Sequence, residues 1–137
     1  MIREATTDDY KELIVIAKKV FDNCDHSGTT WNEAYVKQSF MRMVMFGFSK
    51  VVEHEGTIVG MMFGTLATNQ WGSICAYDQI TFSTRETHKL LREFAWWAED
   101  NGAETVCVTN ISGNDRYNKL IKKMGFTTES NTFIKEI

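Results

Sequence analysis

Val51-Val52-Glu53-His54-Glu55-Gly56-Thr57-Ile58-Val59-Gly60 decides the fold, because it reads as two β-rich runs joined by a tight turn. The pair Glu55-Gly56 is a hairpin signal, so Phe48 to His54 and Thr57 to Leu66 are predicted to form adjacent antiparallel strands. After a turn over Thr68 to Gly72, Ser73 to Phe82 is predicted as a third strand. Strict alternation puts Ile74, Ala76, Asp78, Ile80 and Phe82 on one face of it, and Cys75, Tyr77, Gln79 and Thr81 on the other.

Helical periods lie on either side of this block. Upstream, Ile2 to Ala5 is a short strand. A helix capped by Thr7 or Asp8 follows, with Tyr10, Leu13, Ile14, Ala17, Val20 and Phe21 on its buried face. Asp22 to Thr30 is rich in turn formers, and a second helix capped by Thr29 or Thr30 is expected from about Trp31 to Met45. Downstream, Ser83-Thr84-Arg85-Glu86 matches a capping box, with Ser83 as cap and Glu86 at the third helical position. The helix it opens carries Leu90, Leu91, Phe94, Trp97 and Ala98 in one stripe and stops at Asn101-Gly102. Glu104 to Asn110 reads as a strand, Asn114 to Met124 as a helix stopped by Gly125, and Phe126 to Thr128 with Thr132 to Ile137 as a closing strand pair. A helix between two strands implies a parallel pair, and hairpins imply antiparallel ones, so the sheet is expected to be mixed.

The chain has 137 residues, 43% hydrophobic and 24% charged, which fits one domain over 1–137 with its own core. Its net charge of −3 and scattered Lys and Arg argue against a nucleic-acid binder, which normally shows a basic stripe. Cys24, Cys75 and Cys107 are odd in number and widely spaced, which reads as small apolar residues in a reducing compartment. No C-x-x-C pair occurs, His26 and His54 have no partner at ligand spacing, and no metal site is expected. The start, Met1-Ile2-Arg3-Glu4-Ala5, lacks an apolar signal core, and there is no apolar run of membrane-spanning length. A cytoplasmic location, in a bacterium or a phage-infected one, is expected, with no membrane partner.

The element order and particular residues resemble the GNAT (GCN5-related N-acetyltransferase) family. The hairpin Val51 to Gly60 is similar to the family's central hairpin, Trp97-Ala98-Glu99-Asp100-Asn101-Gly102-Ala103 to the end of its main helix, and Asn114 with Leu120-Ile121-Lys122-Lys123-Met124-Gly125-Phe126 to its Asn…Leu-Tyr-x-Lys-x-Gly-Phe segment. The resemblance implies an α/β (or α+β) fold, with a mostly antiparallel mixed sheet and helices on both faces. It also implies an enzyme that moves an acetyl group from acetyl-CoA, as substrate, to an amine of a small molecule or peptide. The pantetheine arm would pair with the strand edge at Ile80, Thr81 and Phe82. The pyrophosphate would sit at the helix start formed by Ser83, Thr84, Arg85, Glu86, Thr87 and His88, where unpaired N–H groups and the helix dipole favour anions. Asn114 and Tyr117 would complete the cofactor site. Asp78, unusual in a strand interior, is the candidate to act as general base or to orient the attacking amine.

The sequence departs from the family pattern in two places. Ser83, Arg85 and Thr87 stand where the phosphate loop has glycine or alanine, and no glycine occurs between Gly72 and Gly102. Ile121 stands where many members have the tyrosine that protonates the departing thiolate, and Tyr117, one turn earlier on the same face, is the candidate replacement. If Ser83 and Glu86 cap the helix they consume its free donors, and Arg85, His88 and Lys89 become a solvated face.

The alternative function is therefore a GNAT-like binding or structural module without chemistry. Asp78-Gln79-Ile80 before a glycine-poor, basic helix start, and Asn114 before a last helix with Ile121 in place of the family's tyrosine, also resemble GNAT-like virion proteins of short-tailed phages. A base- or tRNA-modifying relative is the third reading, disfavoured by the lack of a basic surface signal. Trp31, Tyr35 and Trp71 are candidates for an acceptor cleft and equally for packing. Met41, Met43, Met45, Met61 and Met62 fit packing or an adaptable apolar groove, and Trp97 fits the core with Trp96 beside it. An edge strand would admit a homodimer.

Overall fold

The computed structural model describes residues 1–24, 29–110, 114–128, 133, 135 and 137. Among the described residues five strands form one sheet in the order β1 (Ile2–Glu4), β2 (Phe48–His54), β3 (Thr57–Thr68), β4 (Ile74–Ser83) and β5 (Thr105–Cys107). The first four are antiparallel, and β5 runs parallel to β4. Glu55 and Gly56, at φ 52° and 76°, make the β2–β3 turn in the left-handed geometry that matches strand twist.

Helices cover both faces. On one face, α1 (Tyr10–Asn23) and α2 (Glu33–Phe46) bury Leu13, Ala17, Phe40 and Met43 against Val51, Met61 and Phe63. On the other, α3 (Thr87–Asp100) buries Leu90, Leu91, Phe94 and Ala98 against Phe48, Val52, Met62 and Ala76, with Tyr117 and Leu120 of α4 (Asp115–Lys123) packed beside them. Each fully buried aliphatic or aromatic side chain contributes roughly 1.5–3 kcal/mol relative to exposure, so these two clusters fix the layers. Trp97 stacks on Phe94 in the second core at 5.8 Å between ring centroids, whereas Trp96 is exposed. Met43, Met61 and Met62 are buried, Met41 and Met45 exposed; Trp31 packs on the first core, while Tyr35 and Trp71 face outward.

Several boundaries differ from the sequence expectations for local reasons. Before α1, Asp9 accepts from the Thr6 N–H at 2.8 Å and so closes a 3-10 turn over Thr7–Asp9. The Arg3 guanidinium donates to both oxygens of Asp9 at 2.8 Å and to Glu53 at 2.6 Å, tying β1, this turn and β2 together. Asn32, not Thr29 or Thr30, caps α2, accepting from the Tyr35 N–H at 3.0 Å. Phe126 to Thr128, expected as a strand, is not in one; in its expected partner, Thr132 to Ile137, positions 132, 134 and 136 lie outside the described residues. No helix among the described residues is long and apolar enough to cross a membrane.

Candidate functional site

The site is where two strands part company. The last β4–β5 pair is Tyr77 with Cys107, and β5 ends there while β4 continues to Ser83. Just past the parting, β4 carries a bulge: Gly64 pairs with Asp78 but Phe63 pairs with Ile80, so Gln79 is the extra residue. The bulge corrects the face assignment made by strict alternation. Ala76 belongs to the α3 core but Ile80 packs into the α1–α2 core, so the two lie on opposite faces. Beyond the bulge Thr81, paired with Met62, returns to the face of Asp78, and Phe82, paired with Met61, goes to the other.

This change of face brings Thr81 and Asp78 together. The Thr81 hydroxyl donates to Asp78 Oδ2 at 2.8 Å, and the Thr109 N–H donates to Oδ1 at 3.0 Å across the gap between the strands. Both carboxylate oxygens are thus held. Burial pushes the Asp78 carboxyl above the ordinary range, against the pull of those two donors. Tyr117 reaches the same place from α4. Burial pushes its phenol up to about 12, with the nearby Asp78 charge adding to the effect, so it is a protonated donor at neutral pH. Its Oη is sealed from solvent, is within reach of Thr81, and has no hydrogen-bond partner of ordinary geometry among the described residues.

A cleft of about 870 Å³ opens beside this group. Thr81, Phe82, Ser83 and Thr84 of β4 and the turn after it form one wall with Thr87 of α3, and Asn114 and Tyr117 belong to the facing α4 side. Asp78 is not on the cleft wall; it stands behind Thr81, which is. Ile80 is turned into the α1–α2 core, and Arg85, Glu86 and His88 are also off the wall. The Asn114 side chain caps α4, accepting from the Arg116 and Tyr117 N–H groups at 2.9 and 3.3 Å.

The helix start also differs from expectation. Ser83 is the last residue of β4 rather than a cap, and α3 begins at Thr87 with Glu86 as its N-cap at φ 55°. The Ser83 hydroxyl instead closes a local turn with the Arg85 backbone. Glu86 turns outward to Lys89 and to the amino group of Met1, at 3.0 and 3.2 Å, which hold its carboxyl below the usual range. Among the described residues no side chain caps the first turn of α3, so its donors are not consumed in the way the capping box implied.

Sequence reasoning missed Lys19, Thr109, Asn110 and Arg116, all of which line the cleft. Arg116 had a signal, since it sits two residues after the helix-capping Asn114 and so lies on the first turn of α4. Thr109 contributes a backbone N–H, which no side-chain pattern reveals.

No protein-family model matches the chain, and no curated protein matches its sequence. In three dimensions the likeness is extensive. An acetyltransferase of Trypanosoma brucei is 12% identical and superposes with a TM-score of 0.72 over 100% of this chain and 99% of that one. A ribosomal-protein-alanine N-acetyltransferase from Brucella melitensis is 20% identical, with a TM-score of 0.74 over 91% of this chain and 83% of its own. A predicted acetyltransferase from Clostridium acetobutylicum, crystallised with acetyl-CoA, is 15% identical, with a TM-score of 0.74 over 99% and 95% of the two chains. The fold is the GNAT-type acetyltransferase fold.

Proposed function

On the fold shared with these acetyltransferases, we propose that residues 1–137 form one N-acetyltransferase domain that transfers an acetyl group from acetyl-CoA to an amine of a small molecule or peptide. The observation that carries this reading is the juxtaposition of a part-buried carboxylate, Asp78, and a phenol, Tyr117, whose oxygen is sealed from solvent and has no partner of ordinary geometry among the described residues, at the parting of β4 and β5 beside an open cleft. Fold alone would be a weaker warrant.

The residues present fit acetyl-CoA. The open edge of β4 at Thr81 to Ser83 supplies backbone groups for a peptide-like pantetheine arm. The uncapped first turn of α3, with Thr84 and Thr87 beside it, supplies donors for phosphate, and Lys19 and Arg116 supply positive charge in the same cleft. Side chains where the family has glycine narrow this approach without closing it, and acetyl-CoA affinity is spread over the pantetheine and adenine as well.

In the chemistry we propose, amine and thioester are held side by side and catalysis is mostly positioning. Asp78 accepts the amine's proton, and Tyr117, a phenol still protonated at neutral pH, protonates the departing thiolate. Among the described residues Cys24, Cys75 and Cys107 form no disulfide, in keeping with the cytoplasmic setting included in this reading.

Titration calorimetry with acetyl-CoA tests the reading. Binding in the micromolar range, weakened at least about tenfold by Arg116→Glu and less by the off-wall Arg85→Glu, is the expected result. No binding at millimolar acetyl-CoA would overturn it.

A further inference from the structure

Asp78 is the only carboxylate in the group just described, yet it is not part of the cleft wall. A proton leaving an amine in the cleft meets Thr81 and Tyr117 first. The Thr81 Oγ1–H already points at Asp78 Oδ2, 2.8 Å away. A hydroxyl has one donor and two acceptor positions, so Thr81, its donor engaged, still has acceptor capacity. Tyr117 Oη beside it is the reverse case, a buried donor with no partner of ordinary geometry among the described residues. Thr109 fixes the other oxygen of Asp78 at 3.0 Å, so the carboxylate cannot swing into the cleft without breaking a backbone hydrogen bond. The bulge at Gln79 is what puts Thr81 on this face at all.

We infer that the Thr81 hydroxyl is the relay through which the cleft, Asp78 and Tyr117 exchange a proton, and that the three side chains act as one closed circuit. The inference rests on the transferase reading given above. The amine lone pair forms the C–N bond to the thioester carbonyl carbon, and the C–S bond breaks with its electron pair going to sulfur. Tyr117 gives its proton to the thiolate and becomes a phenolate. The amine's surplus proton passes to Thr81 Oγ1 as Thr81 hands its own proton to Asp78. That proton then returns from Asp78 through Thr81 to the Tyr117 phenolate. The amine has lost one proton, the thiol has gained one, and all three side chains end as they began. No external acid or base enters the balance.

Thr81→Val keeps the shape and removes the hydroxyl, and Thr81→Ser restores it. Thr81→Val is expected to lower kcat about 100- to 1000-fold while acetyl-CoA affinity stays within about twofold, and Thr81→Ser to recover all but about fivefold of the loss. A second readout needs neither substrate. With 13C-labelled tyrosine, and Tyr117→Phe to assign the signal, the Tyr117 ring carbon bearing the hydroxyl should step as Asp78 titrates. The step should survive in Thr81→Ser and shrink at least threefold in Thr81→Val, where the Asp78 carboxyl, short of a donor, titrates higher.

Wild-type kcat with an unchanged Tyr117 step in Thr81→Val overturns the relay. Loss of acetyl-CoA binding in the wild type overturns the transferase reading instead. The Tyr117 step would then still decide whether Thr81 links the two acids.

Discussion

Gly64 of β3 and Phe94 of α3 touch so closely that no side chain fits between them: a Cβ on Gly64 would lie 2.4 Å from Phe94 Cε1 and 2.9 Å from the Tyr77 carbonyl oxygen. Gly64 is also the register partner of Asp78 at the bulge. The absent side chain therefore lets α3 settle onto the sheet beside the residue on which the proposed chemistry depends.

Gly64→Ala is expected to destabilise the fold by about 1–3 kcal/mol, because both the ring and the backbone would have to shift in a full core. Urea unfolding monitored by Trp fluorescence measures this. A midpoint unchanged from the wild type would mean that α3 is free to lift away, and the close packing would not be what positions Asp78.

Acid stability is expected to depend on Asp9. Its side chain is 11% exposed, and the hydrogen bonds from Arg3 hold its carboxyl below the usual range. A carboxyl lowered in the folded state contributes stability that is present above its unfolded pKa of about 3.9 and is lost as pH falls toward the lower folded value. Wild-type stability should thus decline on acidification from about pH 5, and Asp9→Asn should decline less steeply. At pH 7 the variant should already be less stable, by on the order of 2 kcal/mol. Asp78, shifted upward, runs in the opposite sense, so the measurement is the difference between the two proteins across pH 3–7. Parallel curves would remove Asp9 from the account.

Much of this fold was legible in the sequence. The hairpin at Glu55-Gly56 and the stripes Leu13–Ala17 and Leu90–Leu91–Phe94–Ala98 fixed the element types, because periodicity and turn chemistry are local. The site was less legible, since it depends on register. Alternation along β4 separated Thr81 from Asp78, and only the one-residue bulge opposite Phe63 and Gly64 joins them. Ser83 and Glu86 formed a convincing capping box by spacing alone, but β4 extends through Ser83 to pair with Gly60, which leaves Ser83 unable to start a helix. Long-range strand pairing overrode a local signal in both places.

Tyr117→Phe separates stability from activity. Removing a buried hydroxyl that has no partner of ordinary geometry among the described residues should leave stability at pH 7 unchanged or raise it by about 1 kcal/mol. The same change should lower kcat about 100- to 10,000-fold, since the thiolate loses its proposed acid. The alkaline limb gives a second check. The folded phenol is pushed up to about 12, against an unfolded value near 10, so its contribution is complete below pH 10 and is lost as pH rises through 12. Wild-type stability should fall over that window by more than the variant's does. A variant that unfolds readily at pH 7 would mean that the hydroxyl holds the fold rather than serving the cleft.

Glu86 offers a way to improve the site rather than damage it. It adopts φ 55°, a conformation that favours glycine, and it places a carboxylate at the positive end of α3, where the phosphates of acetyl-CoA are proposed to bind. Its ion pairs with Lys89 and the Met1 amino group are at the surface and contribute little. Glu86→Gly removes the charge and relieves the backbone together, and Glu86→Gln removes the charge alone. Both are expected to tighten acetyl-CoA binding about three- to tenfold at low salt, with the gain shrinking as salt screens it. Equal gains assign the effect to the charge, while a gain confined to Glu86→Gly assigns it to closer approach of the backbone. If neither variant changes the affinity measured by calorimetry, the phosphates do not sit at the start of α3, and the cations Lys19 and Arg116 on the cleft wall become the place to look.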